Sequence, residues 1–428
     1  MAIEKTEPLN ANGMPLPTAD LQVLKNGLPP TISDIDPSRL TVTHSSSSKD
    51  IPLSDDLVFG QVMTDHMLYM TYEPTHGWSA PEIKPYGPLS LDPASSCFQY
   101  CPNVFEGMKA YLGPDGTPRL FRPQLNMARM MRSADRVALP HFDTDALLVL
   151  IKKLITIDAR WIPKARGCSL YIRPTIIGTR AALGVAASTH ATLYVIMSPT
   201  GPYFKVPSGI SLYAVSEHVR AWPGGTGGYK LGLNYAPGFQ PQRTAMQKGY
   251  QQVLWLLGET ITEAGAMNFF VVLKRDDGDL DIVTPPLDGT ILPGVTRASV
   301  LSLLAAHPVA TSLPNLSNGV RLHTHERAIT MSELVGWHAG GRLLEVFCVG
   351  TAVVVTAVSR IGWEEREIAL PEYGGKGIGP VARALWERLV DIQEGRVEWQ
   401  GWSVPCEIPG TELRLFRLFS TIRTGQMV

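Results

Sequence analysis

Cysteine is scarce in this chain: five in 428 residues, at Cys97, Cys101, Cys168, Cys348 and Cys406. So odd and sparse a set does not make a disulfide framework and points to a reducing compartment. Cys97 and Cys101 stand four apart, but no second Cys or His pair has zinc spacing, so no metal site is expected. Neither sign of charge is in surplus, with 38 Lys and Arg against 39 Asp and Glu. That balance argues against nucleic acid as a partner. No apolar run is long enough to cross a bilayer, so no membrane partner is expected either. The opening residues lack the apolar core of a signal peptide, and the first arginine is Arg39, unlike an Arg-rich transit peptide. The cytosol is the expected compartment, with the mitochondrion as the alternative.

What is present is apolar residue, 44% of the chain, enough for a large core. The length suggests about two or three domains. Residues 1 to about 50 are rich in Pro, Ser, Asn and Asp and read as an extended or partly disordered arm, with order from Leu57. Helical spacing predicts helices over Pro123–Val137 and Asp145–Trp161. β-Branched and aromatic runs predict strands in "CSLYIRPTIIG" and "ATLYVIMSP". "SPTGPYF", Ser198 to Phe204, is the linker candidate. Beyond it strands dominate, at Ile210–Val215, Gln252–Leu257, Phe269–Leu273, Leu280–Thr284 and Glu345–Val358. Helices are expected at Thr296–Ala306 and Gly379–Gln393. This is a mixed α/β chain with a strand-rich second half.

Five stretches invite chemistry. "GGTGGYKLGLNYAP" sets Lys230 after four glycines and five residues before Tyr235. Glycine admits close backbone approach, and a lysine amine in a crowded site is a nucleophile; a flexible surface loop fits the stretch equally. Glu263 falls between two strand-like runs, in a turn with Gly265. It is either a solvated loop carboxylate or an acid facing a cationic ring nitrogen, because burying it unpaired is costly. "LPGVTR" opens a helix, so the Val295 and Thr296 amides are free donors suited to a phosphate, unless Thr296 is an ordinary cap. Arg122 immediately precedes a helix begun by Pro123 and offers a fork for phosphate or a surface carboxylate. A fifth stretch, Gly350–Thr351–Ala352, interrupts a strand run and makes either an anion-binding turn or a β-bulge.

Together "FQYCPNVFEGMKAY", "RLFRP", "SLYIRP", "RAWPGGTGGYKLGLNYAP", "ITEAGAMNFF", "PPLDGTILPGVTR" and "GTAVVV" resemble, in this order, the branched-chain amino-acid aminotransferases, most of all the fungal ones. The resemblance runs from about Leu57 to Trp402. It implies a fold-type-IV architecture: an arm (1–56), a small α/β domain (57–197), a linker (198–204) and a larger pseudo-barrel domain (205–428), with pyridoxal 5'-phosphate in the cleft between the two domains. It implies a homodimer whose partner subunit helps to close the pocket. The activity it implies is transfer of an amino group between Leu, Ile or Val and 2-oxoglutarate. Alternatives are another fold-type-IV enzyme (a D-amino-acid or amine transaminase, or an amino-chorismate lyase), a specialised-pathway transaminase, and a catalytically silent paralogue.

The resemblance also assigns roles. Lys230 matches the lysine that forms the Schiff base and shuttles the proton, Tyr235 the partner of the ring hydroxyl, and Glu263 the acid at the ring nitrogen. Arg122, Val295, Thr296 and Thr351 match phosphate ligands, and Arg220 an arginine near that phosphate. The Thr351 and Ala352 amides match the substrate-carboxylate turn. Tyr100, Phe105, Tyr171 and Tyr203 match the aromatic wall, and Arg173 the partner of a dicarboxylic substrate. The chain departs from the family at Leu233, where glycine is usual, and at Ala266, where threonine is common. Leu233 either strains the backbone or adds bulk beside Lys230. Pro102 and Asn103 also stand in the pocket segment, which opens the question of donor range.

Overall fold

The computed structural model describes residues 33–204, 209–373 and 377–406. Two sheets organise it. The first is centred on the predicted pair of strands, Ser169–Gly178 and Ala191–Thr200, which pair antiparallel over their full length. The helices Pro123–Arg136 and Thr144–Ile157 cover it. Their Met127, Met130, Leu147, Ile151 and Leu154 share one core with Ile172, Leu193 and Val195 of the strands. Proline starts the first helix, and Asp143 caps the second by accepting from the Asp145 and Ala146 amides.

The second sheet closes on itself. Its ring runs Thr260–Ala264, Gln252–Leu257, Ile210–Val215, Val354–Trp363, Leu343–Gly350, Met267–Lys274 and back to Thr260–Ala264. Met267–Lys274 is buried along its whole length except Lys274, as expected of a strand covered on both faces. The helices Val295–Ala306 and Pro380–Gln393 pack on it through Val300, Leu304, Leu385 and Leu389, against Phe270, Phe347 and Val349.

Three expectations change. The run Glu345–Val358 is a hairpin of two strands that turns at Thr351–Val353. The arm is not loose throughout: Ile35 is buried, and Thr41–Val42 pairs parallel with Glu82–Ile83 of the first sheet. Residues 1–32 of that arm lie outside the described residues. Finally, Ser403–Pro405, expected in the larger domain, pairs antiparallel with Arg119–Phe121 and so belongs to the first sheet.

Candidate active site

A cleft of about 580 Å3 is lined by residues from both sheets, a size suited to a small ligand. Lys230 lines it, and its backbone is held from the first half of the chain. Its amide donates to Ser133 Oγ at 3.0 Å, and its carbonyl accepts from the Phe105 amide at 3.2 Å. The glycine run before it serves backbone packing. A Cβ at Gly227 would run into the Thr290 carbonyl and the Ala221 methyl, and the Gly228 amide donates to the Gly289 carbonyl at 2.8 Å. The lysine's Nζ donates to Tyr235 Oη over 3.3 Å and lies 4.8 Å from the centre of the Phe105 ring.

Glu263 is neither in a turn nor in water. It is the penultimate residue of the strand Thr260–Ala264 and is 2% exposed. Its Oε1 accepts from the Leu292 amide at 3.2 Å and from Asn268 Nδ2 at 3.4 Å, and its Oε2 is 2.5 Å from Arg220 Nη1. Burial pushes this carboxyl above the usual carboxylate range, against the pull of Arg220 and Lys230. Arg220 thus meets the acid rather than the cleft, of which it is not a lining residue.

Of the four residues matched to a phosphate, three line the cleft and one does not. Val295 and Thr296 open the helix Val295–Ala306, line the cleft, and have no side-chain cap, since Gly294 is the capping residue. Their amides are therefore free donors at the positive end of a helix. Thr351 joins them on the cleft wall. Arg122 does not line the cleft: its Nη1 donates to Ser299 Oγ at 2.8 Å and its guanidinium stacks 4.2 Å over Trp402. A left-handed backbone, φ 46°, goes with this turn of the chain.

Arg129, one helical face further along, is the arginine in the cleft. Nε and Nη2 donate to the two oxygens of buried Glu106 at 2.7 and 2.8 Å, and Nη1 donates to the Pro293 carbonyl at 3.0 Å. These bonds leave two of its five N–H donors unassigned. Burial raises the Glu106 carboxyl, but Arg129, Lys230 and Asn126 outweigh it and hold the group below its ordinary value. The sequence carried a signal for this arginine. Asn126, Arg129 and Ser133 recur at helical spacing and are all buried, a polar stripe inside an otherwise apolar face.

The wall opposite is aromatic. Phe105, Tyr171 and Tyr203 line the cleft as expected, joined by Phe59, which packs edge-on to Tyr171 and Tyr203 at 4.7 and 5.2 Å. Arg173 reaches in over Phe105 at 4.5 Å and donates to Tyr171 Oη at 2.9 Å. Ala266 and Asn103 are on the wall, as is the Thr351–Ala352 turn. Two residues depart from expectation. Tyr100 is 42% exposed in the short helix Ser96–Tyr100, hydrogen-bonded to the Leu183 carbonyl, and does not line the cleft. Leu233 has no left-handed backbone and packs against the first core rather than on the cleft wall, so it neither strains the loop nor narrows the pocket.

The chain matches the family Amino-transferase class IV over residues 103–361. It is 43% identical over 399 residues to the mitochondrial branched-chain-amino-acid aminotransferase of Saccharomyces cerevisiae, covering 92% of this chain and 98% of that one. It is 44% identical over 376 residues to the cytosolic branched-chain-amino-acid aminotransferase of Mus musculus, covering 86% and 92%. Its fold is similar to that of a T.th. branched-chain amino acid aminotransferase solved with pyridoxamine 5'-phosphate, with a TM-score of 0.62, 25% identity, and 81% and 100% of the two chains covered. The chain therefore belongs to the branched-chain-amino-acid aminotransferases of class IV.

Proposed function

We propose that this protein is a pyridoxal 5'-phosphate-dependent transaminase that moves an amino group between Leu, Ile or Val and 2-oxoglutarate. The observation that carries the reading is the pairing, in one cleft, of Lys230 Nζ beside Tyr235 Oη with the buried Glu263. The donor set fits the cofactor. Glu263 suits a protonated ring nitrogen, Tyr235 a ring hydroxyl, and Arg129 with the Val295 and Thr296 amides and Thr351 a phosphate. When bound, the cofactor supplies an aldehyde to carry the amino group and a ring to take up the electron pair left at Cα. Lys230 holds the cofactor covalently and, as a free amine, moves a proton at the substrate Cα. The Thr351 and Ala352 amides hold the substrate carboxylate, and Arg173 meets the second carboxylate of 2-oxoglutarate.

Tyr100 sits with Phe98, Leu183 and Val185 among the exposed large apolar side chains, Phe98 being 59% and Val185 85% exposed. Such exposure fits a surface covered by a second copy in a homodimer, with Tyr100 reaching that copy's cleft. Asn103, whose Oδ1 is buried with no partner among the described residues, favours a donor range that includes side chains able to donate a hydrogen bond.

The test is a visible absorption spectrum of the purified holoenzyme against a panel of amino acids. Leu, Ile and Val should each bleach the bound-cofactor band, and 2-oxoglutarate should restore it. A band that none of the three alters would refute the reading.

A further inference from the structure

Lys109 is a buried cation with no part in the site described so far. Lys109, on the strand Met108–Leu112 of the first sheet, is 5% exposed. It forms no ion pair among the described residues, and it does not line the cleft. Its Nζ crosses to the other half of the chain and donates to the Ala352 carbonyl at 2.7 Å. Burial holds its ammonium down to about 8. A charged group kept in so costly a place needs a reason.

The turn it reaches is itself under tension. Val354, which ends the turn, is a β-branched residue with φ 59°, a left-handed backbone that valine rarely adopts. Such a conformation persists only where the surroundings enforce it. Lys109 is one such enforcing contact, from a rigid strand outside the turn. Its geometry also decides what the turn presents. An oxygen committed to an ammonium is not turned on an incoming carboxylate, and a planar trans peptide then points the Val353 N–H the opposite way. Lys109 also lines a polar cavity of about 20 Å3 with Tyr111, Thr296, Thr351 and Gln393, room for one water. Tyr111 Oη and Gln393 Oε1 have no partner among the described residues, so a water there would serve both and the lysine.

We propose that Lys109 is a positioning residue for the substrate carboxylate, pinning the Thr351–Ala352 turn through the Ala352 carbonyl so that the Val353 N–H at its end is aimed away from the lysine and the turn is held in place for the anion. The inference rests on the proposed role of that turn. It makes recognition of the carboxylate depend on a side chain that never touches substrate.

The test uses the holoenzyme and an unreactive branched acid, 4-methylvaleric acid, with its neutral amide as control, both titrated by calorimetry. Lys109→Met should weaken the acid about tenfold or more, since an ångström of misplacement costs up to roughly a hundredfold. It should leave the affinity for the neutral amide unchanged; any loss of pyridoxal 5'-phosphate affinity, through Thr351 in the same turn, should be smaller than the loss for the acid. In turnover, KM for both amino and oxo acids should rise more than kcat falls. Lys109→Gln, which keeps a shorter donor, should recover part of the loss. Equal weakening of acid and amide, or a loss of cofactor affinity as large as that for the acid, would show a merely structural role and overturn the proposal, as would failure of both variants to fold. A wild-type holoenzyme that does not bind the acid at all would overturn the function on which the inference rests, whatever the variants do.

Discussion

Glu106 and Glu263 are both buried carboxylates paired with arginines, yet their surroundings push them in opposite directions. Glu106 takes two parallel bonds from Arg129, one from Asn126 and one from the Gly107 amide. Its charge is satisfied and its proton is held off below the ordinary range. Glu263 has one oxygen close to the Arg220 guanidinium and longer bonds on the other, and burial wins. A bidentate fork completes a carboxylate, whereas a single-sided contact leaves it wanting a cation. The first arrangement builds a scaffold for Arg129. The second suits an acid that awaits a cationic ring. Lys230 favours the ionised form of each.

Removing that shared cation has the largest effect. Lys230→Ala should abolish transamination while thermal unfolding shows an intact fold; measurable turnover would sink the mechanism. Next comes the acid. Glu263→Gln should cut kcat by about 10²–10³-fold, the usual loss on removing one preorganised charge, with cofactor still bound in a titration. Glu106→Gln should act on the fold instead, costing about 3–5 kcal/mol in denaturant unfolding because it strands the Arg129 charge, with a loss of cofactor affinity following from the freed arginine. Swapped outcomes for these two variants would break the contrast between the sites. Arg122→Ala should change cofactor affinity little, since its partners are Ser299 and Trp402. A large loss there would return the phosphate to Arg122.

The smallest effect is in the acid limb of stability. Glu106, whose folded value is depressed, contributes stability above its ordinary value that is lost as pH falls through the folded one. Glu263, whose folded value is raised, works in reverse: stability is lost as pH rises from the ordinary value through the folded one. Acid unfolding of the cofactor-free protein should therefore be blunted in Glu106→Gln. In Glu263→Gln the drop in stability on raising pH should be the part removed. Parallel profiles would erase the distinction.

Most elements were legible because period and turn chemistry agreed. Ile210–Val215, Gln252–Leu257 and Leu280–Thr284 end where β-branched runs meet turn residues. The helix Met331–Ala339 was not foreseen, although Thr330 and Glu333 form a capping box visible as T-x-x-E. Its apolar stripe is weak, and caps alone do not announce a helix. Ser403–Pro405 was assigned to the larger domain, since three residues carry no period and their partner, Arg119–Phe121, lies far off in sequence. Of the cleft residues, Lys230, Tyr235, Thr296 and Thr351 were legible through glycine and turn signals that act locally. Arg129, which lines the cleft where Arg122 does not, was passed over because sequence proximity to a helix start was weighed above the buried face. Lys109 depends on a contact between distant segments that no local pattern encodes.

That last strand has a consequence for how the protein is made. The chain leaves the first sheet after Thr200 and rejoins it at Ser403, so the closed ring of strands is threaded as an insertion within the first sheet's own sequence. Synthesis proceeds from the N-terminus, and segments fold as they emerge. The edge at Pro118–Phe121 therefore stays open until Ser403 has been made, and Arg122, whose amide donates to the Trp402 carbonyl at 2.8 Å, waits for its partner. The first half to be born is the last to be finished.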